Sequence, residues 1–143
     1  MFTTPVRQLI VPRTLLIVAP DMTVREAAEL MSSRGFGAVL VVQDNQLQGI
    51  FTERDVVFRV VARGLDTDAT RLSSVMTRDP KTIAPDKAFG IAMAIMHEHG
   101  FRHLPVIEGG VPIGVVSSRS ALDPELEEFV SEERRRKHIM EQL

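Results

Sequence analysis

The chain carries one design twice, at a fixed offset of 65 residues. Ala19-Pro20-Asp21 recurs as Ala84-Pro85-Asp86, Met31 as Met96, Gly35-Phe36 as Gly100-Phe101, and Gly49 as Gly114. Aligned without a gap, positions 19–57 and 84–122 share ten identities in thirty-nine, where ordinary residue usage gives about two or three by chance. Two related units that cannot each cover their own apolar faces are expected to pack together. The seam between them is then a natural ligand cleft.

A length of 143 residues fits one domain, large enough to bury about two-thirds of its unfolded surface. The hydrophobic fraction is 44% but the aromatic fraction only 5%, so the core is expected to be aliphatic. Seventeen basic against nineteen acidic residues leave a net charge of -2. That balance argues against broad contact with a phosphate backbone and leaves room only for a local basic patch. With no cysteine there is neither disulfide nor thiolate chemistry. Residues Met1 to Arg7 lack the charged and apolar regions of a signal peptide. No run approaches the roughly 18 apolar residues of a membrane helix, so the expectation is a soluble cytoplasmic protein without a membrane partner.

Each copy reads as strand, helix, strand, strand, helix. In the first, Leu15 to Val18 is a short strand and Thr23 with Glu26 forms a capping box. Ala27, Leu30 and Met31 share a helical face that Gly35 ends. Ala38 to Val42 and Leu47 to Phe51 are strands about an Asp44-Asn45 turn, and a second helix runs from Thr52 to about Arg63. In the second copy the short strand is Thr82-Ile83 and the helix Ala88 to His99. The hairpin is His103 to Ile107 with Ile113 to Val116, and Ser117 caps the next turn. Between the copies, Leu65 to Thr70 reads as a loop, and Leu72, Val75 and Met76 as one helical turn. Beyond them, Asp123-Pro124 has the form of an N-cap and first helical residue, opening an amphipathic helix over 123–143. Its glutamates come early and Arg134 to His138 late, which suits the helix dipole and allows Glu132–Arg136 and Glu133–Lys137 pairs. Such a helix packs on its own protein or on a second copy.

Chemistry concentrates at Gly49-Ile50-Phe51-Thr52-Glu53-Arg54-Asp55, where a strand gives way to a helix. A helix N-terminus offers free N–H groups to a phosphate. Thr52 adds a hydroxyl, Arg54 a cation, and Asp55 a carboxylate for a ribose diol. The same Thr52 and Asp55 also fit an ordinary capping box.

The segment resembles the G-h-x-T/S-x-x-D signature of CBS domains (named for cystathionine β-synthase; h is apolar). Phe101 to Val106 resembles that family's second-strand signature, and Val75-Met76-Thr77 and the element order also fit. The resemblance covers about residues 8 to 122. It implies an α/β (α+β) fold: two β-α-β-β-α repeats, 8–64 and 77–122, joined by a 65–76 linker. They pack with pseudo-twofold symmetry, and the C-terminal helix is appended. It implies a regulatory or sensor module that binds an adenosyl compound (AMP, ADP, ATP, NADH or S-adenosylmethionine, with AMP and ATP foremost) and forms a homodimer, with a regulated enzyme or other protein as a possible partner. Carried over, the main cleft uses Thr52, Arg54 and Asp55 against Thr77, Thr82, Ile83, Arg102, His103 and Pro105. Backbone near 83 and 103 reads adenine. The second cleft sets Ser117, Arg119 and Ser120 against Gly37 and Ala38. Ser120 stands where a carboxylate belongs, and a charge-assisted bond worth about 1 kcal/mol or more is lost. The Asp55 cleft is therefore expected to be the stronger.

Other readings have less behind them. His97 and His99, two apart, point about 200° from each other on a helix and do not share a metal readily. His103 is either a structural histidine or a phosphate contact. No Gly-x-Ser-x-Gly, P-loop or Gly-x-Gly-x-x-Gly occurs, so no catalytic residue is assigned and no enzyme activity is expected. A structural or interaction subunit with no bound nucleotide remains an alternative. So does a nucleic-acid-binding regulator acting through Arg134 to His138, although five preceding glutamates make nucleic acid a poor fit.

Overall fold

The computed structural model describes residues 2–10, 15–120 and 122–142, with the backbone alone over 122–128. The first repeat runs β1 (Ile17–Val18), α1 (Val24–Arg34), β2 (Ala38–Gln43), β3 (Gln46–Thr52) and α2 (Glu53–Asp55), which continues as a π-helical segment, Val56–Val61. The Thr23 side chain accepts from the Glu26 N–H at 3.2 Å, but the Glu26 carboxylate meets the Thr23 hydroxyl at 3.1 Å and not its N–H, so half of the expected capping box forms. Gly35, at φ 71, closes α1 in the left-handed conformation that glycine adopts without strain. Asp44 and Asn45, at φ 53 and 62, make a two-residue hairpin turn.

A single helical turn, α3 (Leu72–Val75), and a short strand, β4 (Thr77–Arg78), lead into the second repeat. There α4 (Phe89–His99) ends at Gly100, φ 73, and β5 (His103–Glu108) pairs with β6 (Val111–Ser117). The register repeats to the residue. Ala38 faces Thr52 in the first hairpin, and His103 faces Ser117 in the second, each 65 residues on.

One element shrinks. In repeat 1 the Leu40 N–H donates to the Leu16 carbonyl at 2.8 Å and helps hold β1 parallel to β2. The equivalent of Leu40 is Pro105, which has no N–H to give. The expected Thr82-Ile83 strand is accordingly reduced to one parallel bridge, Ile83 to Val106.

The duplication reaches further back than residue 15. Leu72 N–H donates to the Met22 carbonyl and Ser73 N–H to that of Pro20; Val6 N–H donates to Lys87 and Arg7 N–H to Pro85 in the same way. The segment that precedes each repeat thus packs on the other one. Leu72, Val75 and Met76 lie in the core of repeat 1 with Val18, Ala27, Met31, Val39, Val41 and Phe51, and β4 pairs with β3. Val6, at the N-terminus, lies in the core of repeat 2 with Ile83, Phe89, Ala92, Leu104 and Val116. A Cβ on Gly49 would sit 2.7 Å from the Thr77 carbonyl oxygen, and one on Gly114 2.9 Å from the Ile10 side chain. The glycines recur because these crossing segments press on them.

A third cluster joins the repeats. Ala38, Leu40 and Ile50 turn away from the first core and pack with Leu47 and with Val115 of β6. Residues of β2 therefore alternate between core and seam, and the strand is buried on both faces, which explains its unbroken apolar run.

The second helix of repeat 1 is π-helical from Val56 rather than α-helical to Arg63. Four valines in six residues crowd an α-helix at χ1, and the wider turn sets Val60 in the core while Val57, Phe58 and Val61 stay exposed. After repeat 2 the chain forms α5 (Leu122–Gln142). It begins before the expected Asp123 cap, whose side chain lies outside the described set. Its ion pair among the described residues is Glu133–Arg136 at 3.4 Å, three apart, instead of the expected pairs four apart.

Candidate functional site

The end of β3 and the start of α2 form one hydrogen-bonded unit. The Thr52 N–H donates to Asp55 Oδ2 at 2.9 Å, the Thr52 hydroxyl lies 3.2 Å from the same oxygen, and the Asp55 N–H donates back to Thr52 Oγ1 at 3.4 Å. This is a complete capping box. Asp55 Oδ1 takes two further partners, the Thr77 hydroxyl at 3.4 Å and Arg59 Nε at 3.4 Å. Asp55 is 7% exposed, one of the few buried polar residues described. Its carboxylate thus ties α2 to the crossing segment, and Arg59 reinforces the tie by donating to the Met76 carbonyl at 3.0 Å.

Arg54, beside it, is exposed and reaches across the seam. Its Nη1 donates to the Gly100 carbonyl at 3.4 Å, and its guanidinium lies 5.1 Å from the centre of the Phe58 ring. From the other repeat, Arg102 is exposed, His103 half-buried and Pro105 buried. Burial holds His103 below its ordinary pKa of 6.5; Glu53 opposes that shift, Arg102 adds to it, and Asp55 opposes it. The structure joins Thr52, Asp55 and Thr77 by hydrogen bonds and brings Arg54 to Gly100, two residues before Arg102.

The remaining expected residues of the main cleft, Thr82, Ile83 and Pro105, lie on the strand remnant and on β5. Thr82 is exposed on the strand remnant. At Ile83 the N–H donates to the Pro105 carbonyl at 3.0 Å and the carbonyl accepts from the Ile107 N–H at 3.0 Å. Its backbone is engaged in the fold, and adenine readout there has no free N–H. Pro105 is buried within β5. The second unit copies the first with fewer partners. The Ser117 N–H donates to Ser120 Oγ at 2.8 Å and the Arg119 N–H to Ser117 Oγ at 3.2 Å. Ser120 does for Ser117 what one oxygen of Asp55 does for Thr52, and has no second oxygen. Ala38 is buried in the seam, and a Cβ on Gly37 would meet the Glu53 carboxylate at 3.0 Å.

Two residues escaped the sequence reading. Glu53 lies beside Gly37 and acts on His103, an acid between the two clefts. Arg59 was legible in principle, since it stands four after Asp55 on a helix. Next to the cleft, a pocket of about 320 Å³ is lined by Met93, Met96, His97, Phe101, Arg102 and Ser118 among others. His97 is among its lining residues, and His99 stacks on Phe101 at 5.6 Å.

A family model described as the CBS domain matches residues 6–62 and 72–124. The match begins, in each half, at the crossing segment. The CBS domain-containing protein YhcV of Bacillus subtilis is 34% identical over 100 residues, 70% of this chain and 71% of that one. The meiotically up-regulated gene 70 protein of Schizosaccharomyces pombe is 34% identical over 139 residues, but this chain spans only 19% of its length. Among solved structures, a putative signal-transduction protein with CBS domains from Burkholderia ambifaria is 35% identical with a TM-score of 0.79, covering 87% of this chain and 95% of that one. A CBS domain protein of Pyrobaculum aerophilum complexed with AMP has the same fold at 24% identity, with a TM-score of 0.74 over 82% of this chain and 89% of that one. Two matched domains in tandem, on a fold whose halves repeat the same hairpin register and crossing contacts, make this chain a member of the CBS-domain family, built as a CBS pair.

Proposed function

We propose that the pair is a regulatory module that binds an adenine nucleotide in the cleft between its repeats, with AMP or ATP as the leading ligand. The observation that carries this reading is the convergence of Arg54 from one repeat with Arg102 and half-buried His103 from the other, beside the N-terminus of α2. Phosphate needs cations such as Arg54 and Arg102, and the neutral His103 ring adds an N–H donor beside them. The AMP complex of the Pyrobaculum protein supports the ligand class. Thr52 and Asp55 shape the cleft by holding α2 in place, and a ribose hydroxyl reaches the Asp55 carboxylate only by competing with the Thr77 and Arg59 bonds to Oδ1. The Ser117 cleft is the weaker, because Ser120 lacks the carboxylate and Glu53 stands beside Gly37.

A ligand that touches both repeats changes their relative free energy only by its differential affinity for two arrangements, and that difference is the signal. The module works as a homodimer in this reading. Val57, Phe58 and Val61, 54%, 60% and 64% exposed, give the π-helical segment an apolar face that a second body covers. Calorimetric titration of the protein with AMP, ADP, ATP, NADH and S-adenosylmethionine tests the ligand class. Saturable binding to at least one supports it; folded protein that binds none overturns it in favour of an interaction subunit.

A further inference from the structure

The second half of α5 has no packing of its own. From Phe129 to Gln142 every residue is exposed except half-buried Glu133. Phe129 is 60% exposed, Ile139 56% and Met140 70%. A helix of about this length is marginal alone in water, because propagation barely repays nucleation.

Phe129, Glu133, Arg136 and Met140 follow one another at spacings of four, three and four, which puts them along a single seam of the helix. Reversing the helix maps this seam onto itself. With two copies antiparallel about a point between residues 134 and 135, Phe129 meets Met140 of the second copy and Glu133 meets its Arg136. Each contact occurs twice, as a twofold interface demands. The wider charge pattern agrees. Glu132 and Glu133 come before the basic run Arg134 to His138, so in the antiparallel pair they lie opposite Lys137 and Arg136 of the second copy, while Arg134 and Arg135 fall on the side of the helix away from the seam. A parallel pair would set glutamate on glutamate and arginine on arginine, at a cost in free energy.

We propose that α5 is a self-pairing element, joining two copies of this chain through an antiparallel helix contact with Phe129 against Met140 and Glu133 against Arg136. The inference is independent of nucleotide binding and of the Val57–Val61 face.

The absence of native cysteine makes disulfide trapping clean. Phe129→Cys and Met140→Cys lie too far apart along one helix, about 16 Å, to bridge within a chain. On mild oxidation of the full-length protein, a mixture of F129C and M140C chains, one carrying a mass tag, is expected to give the mixed dimer as its main covalent product. Either variant alone is expected to stay several-fold less cross-linked. Adding Glu133→Arg to both chains should cut the yield several-fold, and adding Arg136→Glu as well should restore it, with far-UV circular dichroism unchanged throughout. Equal cross-linking of F129C alone, no product from the mixture, or indifference to the charge swap would each overturn the proposal.

Discussion

Replacing Asp55 by alanine tests whether its carboxylate is chiefly what fastens α2 to the crossing segment. Asp55 is 7% exposed and its carboxylate serves Thr52, Thr77 and Arg59. Loss of the cap costs about 1 kcal/mol, and the Thr77 hydrogen bond about 1 more. Arg59 is 40% exposed, so its pair with Asp55 is discounted to less than about 1 kcal/mol. The sum is about 2–3 kcal/mol, or roughly a 5–10 °C fall in Tm for a chain of this size. The molecule holds its own control. Ser120 occupies the equivalent place and accepts from the Ser117 N–H, with a hydroxyl contact to the Ser117 side chain at 3.2 Å, so Ser120→Ala is expected to lose only about 1 kcal/mol. Urea and thermal unfolding of both variants measure the difference, with an unchanged m-value to certify the comparison. If Asp55→Ala destabilises no more than Ser120→Ala, the extra bonds to Thr77 and Arg59 contribute nothing and the reasoning fails.

Gly49→Ala forces a Cβ against the Thr77 backbone, whereas Gly114→Ala meets only the Ile10 side chain. The first is expected to cost about 1–3 kcal/mol and the second less; equal losses in urea unfolding would count against a rigid crossing segment. His103 is held below its ordinary pKa by burial, so below about pH 6.5 the unfolded chain takes up its proton before the folded one does. Stability from this group is present above that range and is lost as pH falls through it, and His103→Gln should flatten the fall in Tm between pH 7.5 and 5.5. Val61→Glu, on the apolar face, is expected to lower the sedimenting mass without changing helicity; an unchanged mass would remove that face from the assembly.

Much of the fold was legible because duplication doubles every weak signal. The glycine closing α1 is a common motif once and a rule when Gly100 repeats it. Capping residues and the hairpin turn announced themselves through short-range chemistry, which sequence records faithfully. What it did not record was reciprocal packing, because the segments around Val6 and Leu72 bind the opposite repeat and no local pattern says which partner a helical turn will choose. Nor did it show the effect of Pro105, whose missing N–H only matters once a neighbouring strand is in place. At the site, Thr52 and Asp55 were visible as a pair, but their two readings, cap and ligand contact, share the same spacing. The structure shows the cap fully formed, and this makes Asp55 a poor probe of binding, since its removal loosens the fold as well. Glu53 was missed because nothing in the sequence says that it lies between the clefts.

Arg102 is the better probe of the central claim, being exposed and free of the capping unit. Calorimetric titration with AMP of the wild-type protein, Arg102→Ala and Arg119→Ala tests it most directly. The account predicts saturable binding at the Arg102 cleft, weakened about tenfold or more by Arg102→Ala, about 1.4 kcal/mol, and little changed by Arg119→Ala. Binding that survives Arg102→Ala and is lost in Arg119→Ala would put the nucleotide in the other cleft and contradict it.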